Sequence, residues 1–305
     1  MNKKNFIMDS ENLISKISET NFTYHPFKHL YIEEFISKED FDELIKCDEV
    51  LLKEAEDDQD LLNILINSKW EPIPFPGSTT DLNDYLAWRK DKSKFDNVNT
   101  CEGFGITFRL RNPKSKLINE YLNFFKSEGF LNCIKEKFNI NTTKTTVDSG
   151  FQKYLDGYEI SPHPDVRKKA LTFMLNINSN PNSHNENHHC HFSEFIPEKK
   201  YIEEYWKGNI TADRSWVPWQ WCKTKFLHKK NNSITIFAPD NDTIHSVKAQ
   251  YEHLKYQRTQ FYGNLWFNEK PLPFKPCWED FVIHQSKEKR TSSTNKEKIN
   301  RQTLF

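Results

Sequence analysis

The sequence predicts a mainly β fold with supporting helices, an α+β chain organised around one sheet-rich core. From about residue 146 onward, short apolar runs alternate with Asn, Pro and Asp, the punctuation of strands and turns. Between about 37 and 140, apolar residues recur instead at helical spacing. The aromatic content, 24 Phe, 8 Trp and 11 Tyr in 305 residues, lets ring packing offset a hydrophobic fraction of only 36 %.

Taken in order, residues 1–22 are polar and are expected to be a flexible N-terminal segment. The run from Phe27 to Ile36 predicts a strand leading into a helix, and Ser37 with Asp40 three residues later resembles a capping box. Phe41, Leu44, Ile45, Leu51 and Leu52 then follow rough helical spacing, and a second helical piece covers 61–65. A loop holding Pro72, Pro74, Pro76 and Gly77 opens an irregular stretch that ends at a strand over 104–110. Residues 117–138 read as helical, interrupted at Gly129. The strands that follow complete a single domain over 23–283, with helical support at about 37–140 and the β core at about 146–270. Residues 284–305 carry six Lys or Arg against two Glu and read as a basic flexible tail.

Charge narrows the partners. Lys plus Arg and Asp plus Glu number 43 each, so no global field favours duplex nucleic acid or an anionic membrane. No run is long and apolar enough for a secretory signal or a membrane span, which makes the cytoplasm the expected compartment. The six cysteines are widely scattered along the chain and form no CxxC pair, so they read as free, mostly buried thiols. The eight glycines show neither P-loop nor nucleophile-elbow spacing, and Gly103-Phe-Gly105 lacks the third glycine of a dinucleotide fingerprint.

Chemistry concentrates in the stretch that ends Ser161-Pro-His-Pro-Asp165. An imidazole and a carboxylate two residues apart in extended chain share a face and can turn toward one point. His245 comes much later in the chain, after the apolar strand Ser233-Ile-Thr-Ile-Phe237 and a turn, and offers a third ligand. Two His and one carboxylate on one face of an octahedral ion leave three positions open, which suits non-haem Fe(II) and O₂ chemistry. Three further features read more simply. Asn182 to His191 holds four His, one Cys and one Glu and reads as a solvated loop, with Zn or Ni binding by His188 and His191 or Cys190 as the alternative. Trp206, Trp216, Trp219 and Trp221, with Arg214 among them, read as core or lid packing, or as a platform for a ring. Arg109 and Arg111 read as ordinary strand arginines.

Tyr154-Leu-Asp-Gly157, Pro162-His-Pro-Asp165, 171–178, 232–247 and 258–267 together resemble the 2-oxoglutarate- and Fe(II)-dependent oxygenases, especially the prolyl 4-hydroxylase-like branch. The resemblance runs over 151–267, around a divergent middle; 24–37 is similar in a less specific way. It implies a double-stranded β-helix, or jelly roll, backed by helices. The activity it implies is hydroxylation of a C–H bond coupled to decarboxylation of 2-oxoglutarate, releasing succinate and CO₂, with ascorbate as a reductant. His163, Asp165 and His245 would be the metal and catalytic residues. Arg258 follows His245 on a strand that puts Arg258, Gln260, Tyr262 and Asn264 on one face, and would anchor the distal carboxylate of 2-oxoglutarate; Lys255 is the alternative. Gln260 stands where the family often has Ser. Tyr154 would hydrogen-bond the same co-substrate or serve as a core tyrosine. Asp165, rather than the Gly or Ala of related halogenases, favours hydroxylation or desaturation. Expected partners are O₂ and a small-molecule or peptide substrate, either a peptide-bound or free amino acid or another small metabolite. A non-catalytic jelly roll that binds a metal or ligand is the alternative of another class.

Overall fold

Six of the helices begin where a short oxygen-bearing side chain can cap the exposed backbone N–H groups. In the computed structural model, which describes residues 8–92, 103–140 and 144–269, Asp9, Ser37, Asp57, Asp81, Ser115 and Ser127 accept such bonds. They open α1 (Ser10–Glu19), α2 (Lys38–Leu44), α3 (Asp58–Asn67), α4 (Leu82–Lys90), α5 (Lys116–Phe124) and α6 (Glu128–Lys137). Among these helices lie strands β1 (Leu30–Glu33), β2 (Trp70–Pro72) and β3 (Thr107–Leu110). The remaining strands are β4 (Thr145–Tyr154), β5 (Glu159–His163), β6 (Lys169–Asn176), β7 (Cys190–Phe195), β8 (Cys222–His228), β9 (Ser233–Phe237), β10 (His245–Lys248) and β11 (Arg258–Phe267), with α7 (Tyr201–Gly208) between β7 and β8.

Strands β4 to β11 wind between two antiparallel sheets. Four of them form the order β9-β6-β11-β4 and the other four β5-β10-β7-β8, which is the double-stranded β-helix. Strand β1 extends the larger sheet beside β9, and β3 and β2 extend it beyond β4, to seven strands. The α+β jelly roll expected from the sequence is therefore the fold observed.

Alternation decides what each face of the larger sheet does. Phe151, Phe173 and Phe261 point to the helices, where Phe125 stacks on Phe173 with ring centroids 5.0 Å apart and Phe151 meets Phe261 at 4.5 Å. The opposite face, from Gln152 and Tyr154 through Thr172 and Met174 to Arg258, Gln260 and Tyr262, turns toward the smaller sheet. Most of this polar row is buried. Among the described residues no helix is long and apolar enough to cross a membrane.

Several expectations need correction. Within the segment expected to be flexible, Ser10–Glu19 is helix α1, which buries Leu13 and Ile17 against the core; the apolar spacing is sparse, but two well-placed side chains suffice to dock it. Helix α2 ends at Leu44, so Leu51 and Leu52 lie outside it, the first exposed and the second buried. The proline-rich stretch contains β2 and α4 rather than only loop. The helical break falls at the Ser127 cap, and Gly129 lies inside α6. Of the cysteines, 47, 133, 190 and 222 are free. Cys101, Cys277 and the basic tail lie outside the described residues.

Gly105 lets the segment before β3 lie flat on the β4–β5 turn. Its N–H donates to the Gly157 carbonyl at 2.8 Å, and a Cβ there would stand 1.8 Å from the Tyr158 backbone nitrogen. Backbone on both sides leaves no flexible atom to yield. Gly105→Ala is expected to destabilise the fold by about 3 kcal/mol, read as a lower urea midpoint at unchanged slope.

Lys153 breaks the apolar pattern of the helix-facing side. Fully buried, it donates to the Val50 carbonyl at 2.8 Å and Thr259 Oγ1 at 2.9 Å, and its ammonium lies 5.2 Å from the Trp70 ring centre. Burial pushes its pKa down to about 7. Between pH 7 and the ordinary lysine value the unfolded chain then holds a proton that the native chain has lost, so this group makes stability rise with pH. The limiting slope is about 1.4 kcal/mol per pH unit. From pH 7 to 9, wild type is expected to gain about 2 kcal/mol relative to Lys153→Met in parallel urea titrations; equal slopes in the two proteins would refute the assignment.

Candidate metal site and cavity

The smaller sheet brings the two histidines together. His163 closes β5 and His245 opens β10, and the two are register partners. Each ring is pinned from behind: His163 Nδ1 lies 2.8 Å from the Ser161 carbonyl and His245 Nδ1 3.0 Å from that of Thr243. A carbonyl can only accept, so each Nδ1 carries a proton and each Nε2 is left facing Asp165. Burial, with His163 alongside, pushes the pKa of His245 down to about 3, which keeps that ring neutral.

Asp165 enters from the loop after β5. Its backbone adopts φ +63°, a left-handed conformation that Asp tolerates better than most residues. Its Oδ1 lies 3.4 Å from His163 Nε2 and its Oδ2 3.6 Å from His245 Nε2. One donor atom from each of the three residues lies within 4.8 Å of the others. Burial alone would raise the carboxyl pKa, but the Lys169 ammonium, 2.7 Å from Oδ1, and the two imidazoles hold it well below the usual carboxylate range. Thr172 Oγ1 donates to Oδ2 at 3.1 Å, and Arg214 Nε donates to the Asp165 main-chain carbonyl at 3.0 Å. Two imidazole nitrogens and one ionised carboxylate, each oriented by a second partner, suit a divalent transition metal bound on one face.

These groups border a cavity of about 270 Å³ between the sheets. Arg258 lines it, 3 % exposed, with its guanidinium 4.5 Å above the Tyr154 ring. Its Nη1 is buried without a hydrogen-bond partner, as is Gln260 Oε1 on the same face. A charged donor buried without an acceptor is costly unless a ligand supplies one. Lys255 lies instead at the surface, 55 % exposed and 3.5 Å from Glu54. Among the described residues, Arg258 is thus the one of the two expected anchors that faces the cavity.

Tyr154 is held in a short relay. Once the Gln152 amide is turned so that its oxygen accepts from Arg109 Nε and Nη2 at 3.2 and 2.8 Å, its nitrogen donates to the Tyr154 hydroxyl at 2.5 Å. That bond leaves the phenolic proton free to be donated elsewhere, and burial raises the phenol pKa so that the proton stays in place. Arg109, read from sequence as an ordinary strand arginine, is therefore a support for Tyr154 as well as an ion-pair partner of Asp148 at 2.9 Å. Arg111 pairs with Glu71 at the surface.

Only the first part of the His-rich segment 182–191 is the solvated stretch expected, with Asn182, His184, Asn185 and Asn187 exposed. His188, His189 and Cys190 are buried, His188 packs on Tyr251 at 4.7 Å, and β7 begins at Cys190. Among the described residues the donors that gather as a metal-sized group are His163, Asp165 and His245 alone. The tryptophans divide: Trp206 is core with Phe195, Ile202, Val217 and Ile244, Trp219 donates to Glu159 at 2.8 Å, and Trp216 stands 41 % exposed at the cavity rim. Sequence reasoning missed Lys169, Thr172 and Arg214 as supports of Asp165. The strand pattern shows that Thr172 faces inward, but nothing in it shows that Lys169 curls back on Asp165.

Fold and site together define a jelly-roll protein carrying two histidines and one carboxylate at the edge of an enclosed cavity. No family model and no curated protein matches the sequence. Among solved structures, the chain is similar to a prolyl-4-hydroxylase of Pseudomonas putida, with 8 % identity over 83 % of this chain and 98 % of that one and a TM-score of 0.43. It is also similar to a prolyl hydroxylase of Trichoplax adhaerens solved with a peptide fragment of the hypoxia inducible factor oxygen degradation domain, with 13 % identity, 93 % of each chain and a TM-score of 0.41. A 2OG-Fe(II) oxygenase family protein of Burkholderia pseudomallei matches 72 % of this chain and 96 % of its own, with 9 % identity and a TM-score of 0.31.

Proposed function

We propose that the protein is an Fe(II)- and 2-oxoglutarate-dependent oxygenase that hydroxylates a C–H bond of a peptide-bound or free amino acid or another small metabolite. The observation that carries this reading is the convergence of His163, Asp165 and His245 at the edge of the cavity that Arg258 enters with an unpartnered Nη1. His163 Nε2, His245 Nε2 and an Asp165 oxygen would hold the iron, and Arg258 the distal carboxylate of 2-oxoglutarate through charge-assisted bonds. When bound, iron, 2-oxoglutarate and O₂ supply an oxidant for the C–H bond, with succinate and CO₂ as the co-products. The chain's own residues position and shield: the Ser161 and Thr243 carbonyls fix the imidazoles, Lys169 and Thr172 fix the carboxylate, and the Tyr154 hydroxyl has a proton to give an anionic oxygen of the co-substrate. Ile160, Met174, Val247 and Trp216 make much of the wall apolar and restrict water near the reacting atoms.

Fe(II) and 2-oxoglutarate added without oxygen are expected to give a weak visible charge-transfer band that disappears in His163→Ala. Admitting O₂ with ascorbate is expected to yield succinate in an Fe(II)-dependent manner. A protein that gives neither band nor succinate is a non-catalytic jelly roll.

A further inference from the structure

Arg258 is the first residue of β11 and Tyr154 the last of β4, and the two are register partners, so both groups stand on the terminal rung of their ladder. The end of a ladder frays unless something beyond it holds the main chain. Here a side chain does. The Tyr251 hydroxyl accepts from the Arg258 main-chain N–H at 2.9 Å and donates to the Tyr154 carbonyl at 2.5 Å. An amide N–H can only donate and a carbonyl can only accept, so a phenol that keeps its proton satisfies both at once. Burial pushes the phenol pKa up, which holds that proton in place.

Tyr251 is itself fixed before it reaches that rung. Two residues earlier, Ala249 donates to the Tyr158 carbonyl at 2.7 Å and accepts from the Gly157 N–H at 2.9 Å. The Tyr251 N–H donates to Asp156 Oδ1 at 3.1 Å, and the buried Asp156 is paired through Oδ2 with Arg89 of α4 and with Lys92. The Tyr251 ring meets His188 edge to face, centroids 4.7 Å apart. Held at main chain, ring and hydroxyl, this side chain offers the rung one position. A small rotation of the main chain at Arg258 is magnified at the far end of its long side chain, and a displacement of about 1 Å in a binding group can cost roughly 10²-fold. We propose that Tyr251 is a positioning residue for the co-substrate: by tying the Arg258 N–H to the Tyr154 carbonyl it sets the direction in which the Arg258 guanidinium meets the distal carboxylate. The inference rests on the oxygenase reading, because that reading assigns Arg258 to 2-oxoglutarate.

The test uses the full chain loaded with Zn(II) and two ligands that differ only at the distal end. N-oxalylglycine is a non-reacting 2-oxoglutarate mimic, and N-methyloxamate is the same molecule without the distal carboxylate. In Tyr251→Phe the affinity for N-oxalylglycine, measured by calorimetry, is expected to fall about tenfold, while the affinities for N-methyloxamate and Zn(II) stay within about twofold of wild type. In an Arg258→Gln background the same substitution is expected to cause no further loss, the non-additivity of two residues that act as one unit. An unchanged N-oxalylglycine affinity in Tyr251→Phe, an equal loss for both ligands, or losses that simply add in the double variant overturn the positioning role. If Tyr251→Phe does not fold, 3-fluorotyrosine placed at position 251 keeps the hydroxyl and decides the matter. Its fluorine resonance is expected to shift when N-oxalylglycine binds and to stay still when N-methyloxamate does; no shift with either overturns the role. Failure of wild type to bind Zn(II) or N-oxalylglycine overturns the oxygenase reading and the positioning role together.

Discussion

His245→Ala is expected to lower Fe(II) affinity by more than 100-fold and to abolish succinate formation. The ring contributes one of three donors, and loss of an outer-shell partner alone commonly costs 10- to 100-fold in metal affinity, so loss of a ligand costs more. The effect should be local, because the Thr243 carbonyl that accepts from His245 Nδ1 lies in a turn also held by bonds between Thr243 and Asp240. Anaerobic metal titration followed by Co(II) absorption, with circular dichroism as the fold control, measures it. Wild-type affinity in a folded His245→Ala protein would show that the metal, if any, binds elsewhere.

The second large effect concerns Arg258. Its guanidinium is buried over Tyr154 with Nη1 unpartnered, so an incoming carboxylate gains charge-assisted bonds without displacing an internal acceptor from that atom. Two such bonds at about 1.5 to 3 kcal/mol each correspond to a loss of roughly 10² to 10⁴ in 2-oxoglutarate affinity for Arg258→Gln. Lys255→Met, at the surface beside Glu54, is the control and should leave that affinity unchanged. Calorimetric titration of 2-oxoglutarate into the Zn(II)-loaded proteins separates the two. A strong loss in Lys255→Met with none in Arg258→Gln would reverse the assignment.

Where side chains alternate strictly, the sequence was readable. The inward row of Arg258, Gln260, Tyr262 and Asn264 and the outward Phe261 and Leu265 are found on the faces that strand periodicity predicts. The spacing of His163 and Asp165, and the strand that precedes His245, were equally local signals, as was the Ser37 cap. What could not be read depends on contacts made across the chain. The three residues of β2 exist because they pair with β3, and α4 has too weak an apolar face to announce itself between prolines. Burial of His188 and His189 is imposed by β7 and Tyr251, against a composition that suggests solvent. Lys169 and Arg214 reach Asp165 through turns whose geometry no period encodes. The amide of Gln152 acquires its role only when Arg109 is placed beside it.

Strand β11 is paired along almost its whole length on both sides, with β4 and with β6, and its two faces serve the helical core and the cavity alternately. Any change that slides or twists it would unseat Phe261 from Phe125 and Phe151 while moving Arg258. Natural drift or laboratory retargeting toward a new substrate should therefore accumulate in the connecting segments that carry Phe75, Pro76, Ser215 and Trp216, where replacement is tolerated, and should spare this doubly committed strand.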